Sequence, residues 1–320
     1  MIHYIRRTAA AAAALLLAVI VFAPVQAQAQ DKAKNVRHKP FIHAYNTSGS
    51  IEDAAAAARA KLEAAGFTIA GEYSPYDGTR IIVVTSEALQ AATSKTDFGA
   101  FGAAQRVAIT APVIEETGTF AEDGELQVTY TNPTYMALAY RLDDDLATVR
   151  SALEGALGSL GEYGSAKGKK AKTLRKYRYK PIIMPSFKSR NELISYGSYE
   201  EALAKVEEGL AAGTAGTSKV YRIDIPGKEQ TLFGVAMTRE CSSDSFVMTS
   251  IDFRDVRSSA HLPYEILVSG GKVYALHAKF RIAISFPDLS MMAGGHTFMD
   301  IMCSPGDIED ALGEAAGVAP

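Results

Sequence analysis

Residues 291–303, MMAGGHTFMDIMC, place four methionines, a histidine and a cysteine within thirteen positions. Met292, His296, Met299 and Cys303 follow one another at intervals of four, three and four, which on a helix would bring their side chains to one face. Sulfur ligands beside an imidazole suit copper(I) or a haem iron. The same spacing is typical of a core stripe, in which methionine fills gaps. Because two glycines interrupt the stretch, the sequence does not guarantee a continuous helix, and both interpretations stay open.

Cys241 and Cys303 are the only cysteines of the chain. In an oxidising compartment they could form a disulfide, which on the chain-entropy model would stabilise the fold by roughly 4 kcal/mol. They could equally be two buried free thiols, because spacing alone does not bring them within bonding distance. A bridge would remove Cys303 from any metal site.

The strongest charge feature is a basic segment, KGKKAKTLRKYRYK at 167–180, with eight basic residues in fourteen positions and no acid. It predicts either a surface for anionic lipid or an acidic partner, or a solvated linker whose end alternates into a strand. The overlapping stretch YGSAKGKK (163–170) faintly resembles a phosphate-binding loop, but Tyr163 stands where the first P-loop glycine would have to be.

Other polar clusters are interpreted as structural. Asp143–Asp145 precede a predicted helix and are expected to cap its backbone N–H groups rather than to bind a cation. Scattered histidines are expected on the surface or satisfied in the core: His38, His43, His261 and His277. The chain has no P-loop, dinucleotide-binding, zinc-protease or nucleophile-elbow motif, so no catalytic residue is predicted.

Residues 1–29 are predicted to be a secretory signal peptide. Arg6 and Arg7 supply its positive start, and Ala9–Phe22 is an unbroken apolar run of 14 residues. This run is too short for a helix that needs about 20 residues to cross a bilayer, and no second stretch reaches that length. We therefore expect a periplasmic or secreted protein that does not span a membrane.

The charge balance argues against nucleic acid as a partner. The chain has 33 basic and 36 acidic residues, and removing Arg6 and Arg7 leaves 31 against 36, a net charge of −5. A mildly acidic chain does not attract a phosphate backbone in general.

Segments of the chain match one another in the same order. The matches are GSIEDAAAAARAKLEAAG (49–66) with GSYEEALAKVEEGLAAG (197–213), LQVTYTNP (126–133) with FRIAISFP (280–287), and DLATVRSALEGALG (145–158) with GDIEDALGEAAG (306–317). We predict two pseudo-symmetric repeats, 37–160 and 191–320, joined by a basic linker at 161–190.

Each repeat reads as alternating strands and helices. In the first, Ser50 is predicted to cap an alanine-rich helix that ends at Gly66. In the second, PYEILVSGGKVYALHAKFRIAIS (263–285) is predicted to form strands, followed by a last helix after Pro305-Gly306. Because the strands pair locally through short turns, we expect an α+β fold, with helices packed on a mostly antiparallel sheet in each repeat.

Three of these stretches are similar to the domain-of-unknown-function family 302. They are the helix SYEEALAKVEEGLAAG, the segment LPYEILVSGGKVYALHAKFRIAISFP and the last helix with DIEDAL. The second repeat carries the resemblance better than the first, where TAPVIEETG is a looser version of HLPYEILVSGG. The resemblance implies a compact α+β domain that occurs in pairs or as dimers, and it implies no mechanism.

The function is predicted from this arrangement. If the repeats face each other, a ligand would bind at their interface, as ligands often do between domains. The segments after the last strand of each repeat are expected to line the site, with Met136, Tyr140, Met291, Met292 and His296. We expect a non-enzymatic exported protein, a monomer of two repeats or a homodimer, that binds a small apolar ligand or a periplasmic protein there without a cofactor. The alternative is copper or haem handling through Met292, His296 and Met299.

Overall fold

The computed structural model describes residues 36–112, 124–178 and 184–320, so the predicted signal peptide lies outside the described residues. The first half (36–112 and 124–178) contains β1 (Arg37–His38), β2 (Phe41–Thr47), α1 (Ile51–Ala64), β3 (Thr68–Tyr73), β4 (Thr79–Thr85), α2 (Glu87–Ser94), β5 (Gln105–Thr110), β6 (Leu126–Thr131), α3 (Pro133–Ala139), α4 (Ala147–Leu157), β7 (Gly161–Tyr163), β8 (Lys169–Lys170) and α5 (Ala171–Leu174).

The second half (184–320) contains β9 (Arg190–Ser195), α6 (Tyr199–Ala211), β10 (Thr217–Asp224), β11 (Gln230–Met237), α7 (Asp244–Ile251), β12 (Tyr264–Ser269), β13 (Lys272–Leu276), α8 (Ala278–Ser285) and α9 (Ser304–Ala315). Short 3-10 turns lie at Gly99–Gly102, Thr214–Gly216, Glu240–Ser242, Ser259–His261 and Phe298–Ile301.

Each half forms its own antiparallel sheet with helices packed on it. The first sheet has the order β3-β4-β5-β6-β2-β7, the second has the order β10-β11-β12-β13-β9, and β1 pairs with β8 separately. Neighbouring strands within both sheets are antiparallel. The predicted α+β class is confirmed.

Helices α1 and α6 begin and end where their sequences predict. Ser50 and Ser198 each accept the backbone N–H of the residue three positions further on, both at 3.1 Å, which satisfies a free donor of the first turn. Gly66 and Gly213 follow the helices with φ of +83° and +69°, a conformation that favours glycine. The predicted cap at Ser50 and the stop at Gly66 are thus confirmed.

The aspartates before α4 also act as expected. Asp144 and Asp145 accept the backbone N–H groups of Leu146 and Ala147 at 2.8 and 3.0 Å. Their carboxylates therefore serve the start of α4, as predicted.

The two halves follow the same order of elements, with β2-α1-β3-β4-α2-β5-β6-α3-α4 in the first and β9-α6-β10-β11-α7-β12-β13-α8-α9 in the second. By this order α1 corresponds to α6 and α4 to α9, in agreement with two of the three sequence matches. It makes β13, not residues 280–287, the counterpart of β6. The pseudo-symmetric repeat itself stays a prediction.

Residues 278–285 form helix α8, so the prediction of a strand there was wrong. The segment has the β-branched and aromatic alternation of a strand, Phe280, Ile282 and Ile284. Most of its residues are buried, on every side of the helix, so it carries no polar stripe with a helical period. The environment of the helix, rather than its local pattern, decides its structure.

The segment 161–190, predicted as a basic linker, contributes to both secondary structure and core. Strand β7 pairs with β2 at the edge of the first sheet. Leu174, Tyr177 and Phe187 are buried in an apolar core that extends from β2 to α8. The described part of this segment is therefore packed against both halves.

The edge strands β3 and β10 bring the two sheets together. At their closest approach Gly71 of β3 lies against Val220 and Tyr221 of β10, and a Cβ at position 71 would overlap the carbonyl oxygen of Val220. Within the described ranges, no helix combines the length and the apolar character needed to cross a membrane.

Candidate functional site

The methionine- and cysteine-rich stretch does not form the predicted helical face. Residues 291–296 form bends, and Gly294 and His296 have φ of +88° and +59°. Met292 is 76% exposed and Met299 is 44% exposed, so these side chains are not a core stripe. The glycines, which release the backbone from helical geometry, are the physical reason.

His296 instead lies on the surface beside an aromatic ring. Its Nδ1 atom lies 2.9 Å from the carbonyl oxygen of Ser250, and its ring stacks on Phe253 with 4.6 Å between centroids. Among the described residues, no cluster of three or more histidine, cysteine, aspartate or glutamate side chains could hold a metal ion.

The other predicted ligand-lining residues lie deeper. Met136 and Tyr140 are 2% and 1% exposed, and the Tyr140 ring stacks on Phe187 of the second half at 5.4 Å. Met291 packs against the cores of both halves. The structure thus places Tyr140 and Met291 at the junction of the halves, buries Met136 in the core that both halves share, and leaves Met292 on the surface.

Cys241 and Cys303 form a disulfide with 5.9 Å between their Cα atoms. Of the two alternatives that the sequence leaves open, the structure has the bridge. It joins the turn after β11 to the start of α9, and it removes Cys303 from any metal site.

A buried ion cluster occupies the junction of the two sheets. Arg106 of β5 and Arg281 of α8 both pair with Glu265 of β12, and all three side chains are 1% exposed. The Arg281 Nε atom lies 3.3 Å from a Glu265 oxygen, and the Arg281 guanidinium also donates to the carbonyl of His261. Two guanidinium groups around one carboxylate leave the cluster positive.

His261 completes this cluster as a neutral base. Its Nδ1 atom faces the Arg281 guanidinium at 3.1 Å, and its Nε2 atom lies 3.0 Å from the Tyr264 hydroxyl. Because guanidinium only donates, Nδ1 accepts and Nε2–H donates to Tyr264. Burial lowers the pKa of His261 well below its ordinary value, and Arg281 and Arg106 lower it further.

Tyrosines of the first half bond to the second half around the cluster. Tyr73 donates to a carboxylate oxygen of Asp244 at 3.0 Å, and burial raises the pKa of Asp244 to about 7. Tyr135 and Tyr177 donate to backbone carbonyls at the end of α8, those of Ile284 and Ala283, at 2.8 and 3.0 Å. These bonds fix the second half against the first and so position the surface at the edge of the junction.

At that edge the structure has a groove, here named the junction groove. It consists of three adjoining cavities of about 520, 570 and 120 Å³. The first is lined by residues 166–170 with Arg37, the second by residues 176–178 with 287–290, and the third by residues 251–254 with Ala293, Gly295 and His296. Asp288 lines all three, so the cavities meet at this side chain.

The junction groove is strongly basic. Its cationic side chains are Arg37, Lys167, Lys169, Lys170, Lys176, Arg178 and Arg254. Against these seven it has two carboxylates, Asp252 and Asp288, although the chain as a whole has a net charge of −3. Five of the seven cations belong to the basic segment 167–180, whose charges therefore converge on one cavity system.

Asp288 lines all three cavities and is surrounded by donors from both halves. Its carboxylate accepts the Ala166 N–H at 2.6 Å and the Ser165 hydroxyl at 3.2 Å. Lys169 Nζ and an Arg254 guanidinium nitrogen lie 4.0 and 3.8 Å from its oxygens. These donors surround a single negative charge.

Asp252 lines the smallest cavity and is buried. It is 6% exposed, and one of its oxygens accepts the Ser258 N–H at 2.8 Å. Its other oxygen, Oδ1, has no hydrogen-bond partner among the described residues. Burial raises the pKa of Asp252 to about 7, which makes it a proton acceptor or donor near neutrality.

Part of this site is predicted by the sequence. The basic segment and His296, which lines the smallest cavity, were singled out by composition and spacing. Arg106, Glu265 and Arg281 were missed, because single charged residues in apolar strands and helices carry no local pattern. Asp288 lies in the turn after α8 and was missed because its contacts with residues 165–169 are distant in the sequence.

Comparison with protein families, with curated proteins and with solved structures finds no match. The fold and the site define an α+β protein with two large antiparallel sheets, a buried ion cluster between them and a basic groove at the edge of their junction.

Proposed function

We propose that this protein is a non-enzymatic, exported binding protein, related to the domain-of-unknown-function family 302, that takes an anionic ligand in the junction groove. The observation that carries the proposal is the convergence of seven cationic side chains on three adjoining cavities of an otherwise acidic chain. A concave surface of one charge sign attracts and retains a ligand of the opposite sign.

The proposal keeps the junction of the halves as the binding place and changes the ligand from apolar to anionic. Met136 and Tyr140, expected to line an apolar site, are packed against core residues and do not line the three cavities. The copper or haem alternative is not proposed, because the helical face that would gather Met292, His296 and Met299 is not formed.

Retention of the purified protein on immobilised heparin, used as an anionic probe, tests the proposal. Lys167 and Lys176 are exposed on the groove, and Lys167→Glu with Lys176→Glu is expected to abolish retention at low salt. Lys228→Glu with Lys279→Glu changes the net charge equally at exposed positions outside the groove. Retention should survive in this control, and equal loss in both double variants would contradict a localised site.

A further inference from the structure

The donors around Asp288 form an anion site that a carboxylate fills only in part. The two short contacts, from the Ala166 N–H and the Ser165 hydroxyl, each use one oxygen. The two cations remain at 3.8 and 4.0 Å, well beyond the roughly 2.7–2.9 Å of a charge-assisted hydrogen bond. A group with two oxygens in one plane does not satisfy all four donors.

The loop 164–168, which supplies the short contacts, presents its donors to the Asp288 carboxylate. Gly164 and Gly168 have φ of +92° and +62°, which turns the backbone so that the Ala166 N–H points to the carboxylate. The Gly168 N–H donates to the Ser165 Oγ atom at 3.1 Å, so the Ser165 hydroxyl hydrogen is available to Asp288. Backbone turns of this type make concave sites for oxyanions.

We infer that this loop, with Lys169 and Arg254, is a site for a tetrahedral oxyanion, a phosphate or sulfate group, and that Asp288 is an internal anion which the ligand displaces. A tetrahedral group carries its oxygens on several sides and can reach the hydroxyl, the N–H and both cations together. Asp288 has room to leave, because it lines every cavity of the groove and its side chain is 26% exposed. The inference rests on the proposed function and names the ligand class of the same groove.

The test is isothermal titration of the full protein and of Asp288→Ala with inorganic phosphate. Removing the internal carboxylate frees the donors and ends its repulsion of the ligand, so Asp288→Ala is expected to bind phosphate at least about tenfold more tightly, or about 1.4 kcal/mol. Asp288→Asn, which keeps an acceptor oxygen without the charge, should show a smaller gain in the same direction. Circular dichroism establishes that each variant is folded.

Three further arms separate the alternatives. Acetate should show no comparable gain, whereas an equal gain with acetate would contradict a tetrahedral site. Ser165→Ala in the Asp288→Ala background should reverse most of the gain, since it removes a donor and leaves the net charge unchanged. Sulfate and glycerol phosphate identify whether the preferred group is sulfate, free phosphate or a phosphate monoester.

Absence of any gain in folded Asp288→Ala and Asp288→Asn would overturn the inference and leave Asp288 as a tie between the two halves. That result is distinguishable from failure of the proposed function, because heparin retention through Lys167 and Lys176 does not depend on Asp288.

Discussion

Arg106 of β5 and Glu265 of β12 form an ion pair across two different sheets, and each side chain is 1% exposed. Arg281 pairs with the same carboxylate from α8. Burying charges costs several kcal/mol for each ion, and the shared carboxylate offsets part of this cost only while both guanidinium groups stay in contact with it. The pair therefore fixes the orientation of the sheets, since a small displacement would leave a guanidinium unpaired in the interior.

The position of the junction groove depends on this cluster. One side of the groove belongs to the first half, at residues 164–178, and the other to the second half, at residues 251–258 and 286–296. Only a fixed relation between the halves keeps Asp288 within reach of Ser165 and Ala166. Stability and binding are thus coupled through the junction.

Glu265→Gln is expected to destabilise the protein by about 3 to 5 kcal/mol, because it leaves two buried guanidinium groups without a counter-charge. Urea unfolding followed by circular dichroism measures the loss. Glu192→Gln, which breaks an exposed pair with Lys272, is the matched control and should change the stability little. A Glu265→Gln variant as stable as this control would show that the cluster does not lock the sheets.

His261→Gln is expected to change how stability depends on pH. The folded-state pKa of His261 lies well below its ordinary value of 6.5 because of burial, so below pH 6.5 the unfolded chain binds a proton that the folded protein does not. The stability that His261 contributes is therefore present above pH 6.5 and is lost as the pH falls, by at most about 1.4 kcal/mol per pH unit.

Glutamine does not titrate in this range, so the His261→Gln variant does not lose this stability. From pH 7 to pH 5 the free energy of unfolding of the wild type should therefore fall relative to that of the variant. Urea unfolding at a series of pH values measures it. A difference that stays constant over this range would mean that His261 has the same pKa in the folded and the unfolded protein, as a side chain exposed to water would, and a shift against the variant would mean that His261 is protonated in the folded protein.

The disulfide is expected to contribute roughly 4 kcal/mol on the chain-entropy model, because it closes a loop over a sequence separation of 62 residues. Cys241→Ser with Cys303→Ser should lower the free energy of unfolding by an amount of this order under oxidising conditions. Addition of a reductant should destabilise the wild type and leave the double variant unchanged. Equal sensitivity of both proteins to reductant would contradict the bridge.

How far the sequence predicts this structure depends on whether the signal is local. Ser50, Gly66 and the aspartates before α4 act on backbone groups a few positions away, so their roles could be predicted and are confirmed. Helix α8 could not be predicted, because it is buried on all sides and its sequence therefore lacks the alternation of apolar and polar faces that marks a surface helix.

The candidate site divides in the same way. The basic segment is contiguous, and its charge was visible in the sequence. The contact of the basic segment with Asp288, and the position of Arg254 beside the same carboxylate, depend on how the halves pack. No local sequence pattern predicts these contacts. The Met292–Met299 spacing predicted a common face only for a continuous helix, and the glycines between these residues prevent one.

Gly71 tests the close packing of β3 against β10. Gly71→Ala is expected to destabilise the protein by about 1 to 3 kcal/mol, since the new methyl group would overlap the backbone carbonyl of Val220, which cannot move as a flexible side chain would. Gly155→Ala is the matched control, because Gly155 lies exposed in α4 and an added methyl group meets nothing within 4 Å.

The Gly155→Ala variant should gain up to about 1 kcal/mol, the difference in helix propensity between the two residues. Opposite signs for the same glycine-to-alanine change, measured by urea unfolding, would establish that the sheets touch at Gly71. An unchanged free energy of unfolding in Gly71→Ala would mean that β3 and β10 are further apart. The two sides of the junction, at whose edge the groove lies, would then be further apart as well.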